Sequence, residues 1–402
     1  MASPLKGIKI LEFGQFIAGP YTGLLLADPG AQVIKVERPG IGDPFREFGI
    51  PGQKAHGYSH QFCAFNRNKL SLTLDLSKLQ GQELFRRAAS KVDVVLQNYR
   101  PGVMKRLGID YDTLNALNPR LVYCAIAGFA EDGPYRDQPA YDAIGQAYSG
   151  LMGMMVDQTD PRVRGHTITD QVTGMQACNG ILAALYGRER TGRGSRVDIT
   201  MIEASVAFMP DAFAAYTQSG VVLGPQTRAA FSLGLVFNCA DQKMISIQVS
   251  SIEKFWKALL SAIQRPDIGE DARFKDRPGR INNFQQLIDV LRPVFAARPR
   301  GYWSERLTAH DVPNAPVHSI PEAMQDPEVR HLKLFHQMEH PRYGSVTALH
   351  RPLRLNGERE SDPLPPPALG EHTESVLEEL GFSPSEAGDE RIPGSACRAE
   401  GS

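Results

Sequence analysis

Cysteine is scarce and scattered: Cys63, Cys124, Cys178, Cys239 and Cys397 are the five in 402 residues, and no two form a C-x-x-C pair. An odd number at such spacings offers neither a disulfide framework nor a thiolate metal site, so a reducing cytoplasm is the expected compartment. An excess of charge is lacking too. Lys and Arg total 44 against 45 for Asp and Glu, with the signs interspersed, so there is no basic stripe to bind nucleic acid or an anionic membrane surface. No stretch approaches the roughly 18 uninterrupted apolar residues that a spanning helix needs, and Met1-Ala2-Ser3-Pro4-Leu5-Lys6 does not lead from charge into an apolar run. Membrane spanning and export are therefore not expected. The first βα turn is not a G-x-G-x-x-G, and the G-x-S-x-G elbow and the Walker-A sequence are absent. His331, His336 and His340 fall at i, i+5 and i+9, off a common helical face, so no metal site is expected.

What is present describes an ordinary globular protein, with 42% hydrophobic and 22% charged residues. The length exceeds the roughly 250–300 residues at which one core stops growing, which predicts two domains. Short apolar runs alternate with helical periodicity over the first 130 residues, the pattern of βαβ units around a mostly parallel sheet. Strands are predicted at Ile8–Leu11, Val33–Val36, Leu72–Leu76, Val92–Leu96, Leu121–Ile126 and Arg196–Met201. Helices are predicted at Tyr21–Ala27 and Lys78–Ser90, and from Asp170 to the Thr191-Gly192-Arg193-Gly194 turn. Residues 145–156, with three glycines and three methionines, read as a flexible loop beside a site or as a Met-filled core segment. From about 225 the texture changes. The division expected is 1–224 as a large Rossmann-like α/β domain, 225–330 as a smaller α/β domain, 331–385 as a return completing the first, and 386–402 as a disordered tail.

Several clusters are candidates for chemistry, each with a plainer reading beside it. The Gly14–Pro20 turn precedes a helix N-terminus, where backbone N–H groups favour anions. Arg38, just past the second strand, suits a phosphate or an adenine face, or is a surface charge. Asn66-Arg67-Asn68-Lys69 and Gln97-Asn98-Tyr99-Arg100-Pro101-Gly102 adjoin strand ends, where open α/β sheets bind ligands; the plain reading is a pair of solvated turns. Asp170 stands where a helix N-cap belongs. An Asp there is most often such a cap; the functional reading is a carboxylate held ionised by the helix dipole and used as a nucleophile, and spacing does not choose.

These clusters, in this order, resemble class III CoA-transferases, the family of formyl-CoA transferase and carnitine CoA-transferase that also includes the α-methylacyl-CoA racemases. The likeness runs from Pro4–Leu11 through Gly30–Asp43, Asn66–Lys69, Asn98–Gly102 and Ala140-Tyr141-Asp142 to Asp170, Arg190–Gly194, Pro316-Val317 and Leu369–Thr373. It implies a Rossmann-like large domain, a small domain and an interlocked homodimer, with Asp170 as the nucleophile. Arg38, Asn98, Tyr99 and Arg106 match positions that contact coenzyme A, which would serve as acyl-CoA substrate with no tightly bound cofactor. Ile17, Tyr141, Gly150 and Gly153 become pocket candidates, the two glycines as oxyanion donors. The implied partners are an acyl-CoA, best taken as succinyl-CoA, and a short-chain, dicarboxylic acid. CoA would move through an aspartyl anhydride and an aspartyl-CoA thioester. Racemases carry a His-Asp pair where this chain has Tyr141-Asp142, and tyrosine, with an ordinary pKa near about 10, serves a neutral proton shuttle less well. Racemase and a non-catalytic CoA-binding protein are the alternatives. Ile17, where formyl-CoA transferases have Gln, and a single glycine across 230–238, where they have several, argue against formyl-CoA and oxalate. Arg46, Arg164 and Arg228 are candidates to meet a second carboxylate.

Overall fold

The computed structural model describes residues 3–49, 58–250, 253–340, 344–359 and 363–382; the tail expected over 386–402 lies outside them. Two compact units divide the chain. The first comprises 1–151, 165–209 and 333–402, and the second 152–164 and 210–332.

The first unit is built on six strands: β1 (Lys9–Phe13), β2 (Gln32–Glu37), β3 (Lys69–Thr73), β4 (Val94–Gln97), β5 (Val122–Ala127) and β6 (Arg196–Thr200). All pair in parallel, in the order β3-β2-β1-β4-β5-β6. The order reverses between β1 and β4, and the crevice beyond the strand ends at such a switch point is where doubly wound folds bind ligands. Alternate residues feed opposite layers. Ile10, Val33 and Val94 pack beneath helices α1 (Ala18–Ala27) and α4 (Ile168–Thr191), while Leu11, Ile34 and Val95 pack beneath α2 (Leu79–Ala89). Each such side chain, fully buried, contributes roughly 1.5–3 kcal/mol of transfer free energy.

Burial on both faces explains one correction. The alternation of Leu72, Leu74 and Leu76 predicts a half-buried strand there, but β3 ends at Thr73 and its polar Ser71 and Thr73 are as buried as its leucines. Alternation marks strands with one wet face, and β3 has none. Residues 145–156 are not a loop either: α3 (Asp142–Ser149) ends at Gly150, left-handed at φ +86°, and a short helix Leu151–Met155 follows. The return segment closes the first unit through a helix, Thr373–Glu379, whose Thr373 hydroxyl accepts the backbone N–H of Thr73 at 3.1 Å.

The second unit has an antiparallel sheet of β7 (Gly234–Asn238), β8 (Met244–Gln248) and β9 (Asn314–Pro316). Residues 230–238, where formyl-CoA transferases carry several glycines, form the end of helix Thr227–Ser232 and β7. The core centres on Phe237 stacked on Phe295 at 4.6 Å and on Trp303, whose indole N–H donates to Phe295 O at 2.9 Å. Among the described residues no helix is long and apolar enough to cross a membrane, and no group of three or more His, Cys, Asp or Glu side chains is placed to hold a metal ion.

Candidate active site

Beneath the switch point lies a fully buried charge network. Lys35 Nζ reaches Glu12 Oε1 (3.2 Å) and Asp43 Oδ2 (2.9 Å), and Lys69 Nζ reaches Glu12 Oε2 (2.7 Å), all at zero side-chain exposure. Burial by itself would lower Lys35, but Asp43, Glu12 and Glu37 together raise it above the usual lysine range. Burial prevails at Lys69, lowered to about 8 although Glu12 raises it. The helix α1 can lie over this network only because residue 23 is glycine, where a Cβ would stand 1.8 Å from Glu12 Oε2.

The network supports the β1–α1 loop. Lys35 donates to Gly14 O at 2.9 Å, and Asp43 Oδ1 accepts the N–H of Phe16 at 3.3 Å. From the end of β4, Asn98 closes a reciprocal pair with Gln15, accepting its N–H and donating to its carbonyl, each at 2.8 Å. Both polar ends of Asn98 are thus engaged on the loop, which makes it a clamp on Gln15 as well as part of the cavity lining described below. Tyr99 beside it stacks on Phe13 at 4.3 Å, and burial pushes its hydroxyl up to about 12.

Asp170 is not an N-cap. The helix α4 starts at Ile168 after Thr167, which puts Asp170 in the third position of the first turn, free of capping duty. Its backbone N–H donates to Asp142 Oδ1 at 3.2 Å, and Asp142 Oδ2 accepts from Gln146 Nε2 at 2.6 Å. The approach of α3 to this turn requires Gly145, where a Cβ would meet Thr169 Cγ2 at 2.6 Å. The helix start does not by itself set the acidity of Asp170. Burial first, then the charge of Asp142, pushes its carboxyl up to about 7.

A cavity of about 230 Å³ joins these elements, lined by Ile17, Asn98, Tyr99, Arg100, Tyr141 and Asp170, among others. Ile17 is buried against Phe45 and Phe62, whereas Tyr141 is 61% exposed. A larger cleft of about 580 Å³ shares Tyr99 and Arg100 and extends over the ends of β5 and β6. Arg38 and Arg106 are exposed and line neither. Gly150 gives its N–H to Ala147 O at 3.3 Å as the cap of α3, which removes it as an oxyanion donor, and Gly153 belongs to the second unit. Arg46 is withdrawn as a carboxylate receptor. It is buried, with its guanidinium bonded to Glu37 at 2.8 and 2.6 Å; burial alone would raise Glu37, but Arg46 holds it at about 2. Arg164, paired with Asp160 at 2.9 Å, and Arg228 lie in the second unit.

Comparison with known proteins then decides the family, because the model of CoA-transferase family III matches residues 5–373. The chain belongs to CoA-transferase family III. This transferase is 30% identical over 380 residues to the human succinyl-CoA:glutarate CoA-transferase, covering 94% of this chain and 86% of that protein. It is 32% identical over 384 residues to the succinyl-CoA–D-citramalate CoA-transferase of Chloroflexus aurantiacus, covering 94% of each. Among solved structures, a CAIB/BAIF family protein from Brucella suis superposes with a TM-score of 0.83 at 28% identity, covering 94% of this chain and all of that one. These relatives support acyl-CoA:carboxylate CoA transfer as the reaction of the class III transferase described here.

Residues that pattern reading passed over now stand at the site. Asp142 carried a signal, its place in the Tyr141-Asp142 dipeptide; Gln146, Phe16 and the two close-approach glycines carried none that is local.

Proposed function

We propose that this transferase moves CoA from succinyl-CoA to a short-chain dicarboxylic acid, with Asp170 as nucleophile. The observation that carries the reading is the Asp170 carboxyl lining a cavity at the switch point, with its pKa raised to about 7. A carboxylate so raised is more basic than an ordinary one and, once ionised, a better nucleophile.

In the proposed sequence an Asp170 oxygen attacks the thioester carbonyl, the C–S bond breaks, and CoA leaves as thiolate from a mixed anhydride. The thiolate attacks the Asp170 carbonyl of that anhydride, releasing succinate and leaving an aspartyl-CoA thioester. The acceptor carboxylate attacks this thioester, expelling thiolate again, and the thiolate takes the acceptor's acyl group from the second anhydride and frees Asp170. Activation is kept throughout as acyl bonds, so water must be kept out. Tyr99 is assigned to the coenzyme through its face and Arg38 and Arg106 through their charge. Arg100, which shares the cavity with Asp170, is assigned to the acid's second carboxylate. The dicarboxylate preference draws on relatives named for glutarate and citramalate.

The test incubates the enzyme with succinyl-CoA and a panel of carboxylic acids and follows new CoA esters by mass spectrometry, with hydroxylamine added to trap an acylated side chain. A glutaryl or similar ester, with the trapped group on Asp170 and none formed by Asp170→Asn, is expected. Modification elsewhere, or transfer by Asp170→Asn, would move the nucleophile.

A further inference from the structure

Phe16 sits where its backbone does not favour it. At φ +62° it occupies the left-handed region, which crowds a Cβ and is ordinarily left to glycine or asparagine. The conformation is imposed from three sides: Lys35 on Gly14 O, Asn98 on both polar groups of Gln15, and Asp43 on the N–H of Phe16. Three consecutive residues are therefore held by side chains from three separate segments.

The result of that constraint is the position of a ring. Phe16 meets Phe45 edge-to-face at 5.4 Å and 88°, and on its other side meets Tyr141 edge-to-face at 5.5 Å and 84°. Phe45 is buried in a small cluster with Ile17 and Phe62, while Tyr141 is exposed. The Phe16 ring thus connects packed core to an exposed aromatic side chain, and both rings line the cavity of Asp170. The Phe16 ring has no hydrogen bond to offer a carboxylate, and Tyr141 has only its single hydroxyl, so most of this wall is hydrocarbon. Its fitting partner is the carbon chain between the reacting carboxyl and the rest of the acid.

We propose that Phe16, with Tyr141, forms the wall that limits the carbon-chain length of the acids this enzyme accepts, which makes Phe16 a specificity-determining residue. The inference rests on the reading of Asp170 as the acyl-carrying residue.

The experiment compares Phe16→Gly, which keeps the left-handed backbone without strain and removes the ring, with Phe16→Asn, which tolerates the same φ, and with Tyr141→Ala at its exposed position. Thermal unfolding confirms that each variant is folded, and kcat/KM is measured for transfer from succinyl-CoA to linear dicarboxylates from succinate to suberate. The expected result is a shift toward longer acids, with the long-to-short ratio of kcat/KM rising about tenfold or more, the scale at which pockets discriminate methylenes. An unchanged ratio in the folded variants, whether activity persists or falls equally for every acid, overturns the proposal. Asp170→Asn measured alongside keeps the two readings apart: its retained activity would remove the nucleophile assignment, whereas an unmoved chain-length profile with inactive Asp170→Asn removes only the role of Phe16.

Discussion

The backbone N–H of Asp170 donates to Oδ1 of Asp142 at 3.2 Å, so the residue that helps fix the first turn of α4 also brings a like charge to the proposed nucleophile. Because Asp170 must be ionised to attack, kcat/KM is expected to rise with pH through about 7. Asp142→Asn keeps an oxygen for the N–H and removes the charge. The acid limb of the profile should then move to lower pH by about half a unit or more, stopping short of the ordinary carboxylate range because burial persists. A limb that does not move would assign the shift to burial alone.

Stability should show the same group from the other side. A folded-state pKa raised to about 7 means that the unfolded chain releases this proton first, so Asp170 opposes folding increasingly from about pH 4 to 7 and fully above that. Asp170→Asn cannot ionise. Calorimetry should find it more stable than wild type at pH 8, by on the order of 1–3 kcal/mol after allowance for partial exposure, with the gain shrinking toward pH 4. An equal gain at both pH values would point to packing instead.

Asn98 and Arg106 are expected to fail differently. Asn98→Ala leaves the N–H and carbonyl of Gln15 without their 2.8 Å partners, which should cost about 1–3 kcal/mol and lower kcat by loosening the loop. Arg106→Ala, at an exposed position, should leave the melting temperature unchanged and raise KM for the acyl-CoA. A destabilised Arg106→Ala together with an unaffected Asn98→Ala would reverse these roles.

Lys35→Met tests the buried network. It leaves Asp43 without its cation at zero exposure, leaves Glu12 with Lys69 alone and frees Gly14 O, and breaking a buried ion cluster from one side typically costs about 3–5 kcal/mol. Denaturant titration should show a loss of this size.

Assembly is expected to follow the family resemblance as well. Met175, Leu182 and Tyr186 leave apolar surface exposed along α4, in keeping with a covered face. Sedimentation should give one species near twice the 44.2 kDa chain mass, without dissociation on dilution. A monomer would count against the interlocked homodimer we expect.

Much of the architecture was legible locally. The first, second, fourth and fifth strands, the helix over 79–89 and the end of α4 at Gly192, left-handed at φ +71°, all follow from runs, periodicity and a C-cap glycine, features carried within a few residues. The register of β3 was not, because a strand covered on both faces has no polar side to mark it. Of the candidate cavity's lining, Asp170, Ile17, Tyr141 and the Asn98-Tyr99-Arg100 cluster were nameable, whereas Asn66–Lys69 stands at the start of β3, at the opposite edge of the sheet.

What each of those residues touches was decided only in three dimensions. The sequence by itself determined the layered α/β class and the family, because both rest on short patterns and their order along the chain. The tertiary structure alone decided that Asn98 is a clamp on a residue 83 positions away, that Arg46 belongs to Glu37, and that Asp142, 28 positions before Asp170, lies against it. Burial and charge proximity set the acidity of Asp170, and neither is a property of spacing: both depend on which distant segments the fold brings within a few ångströms.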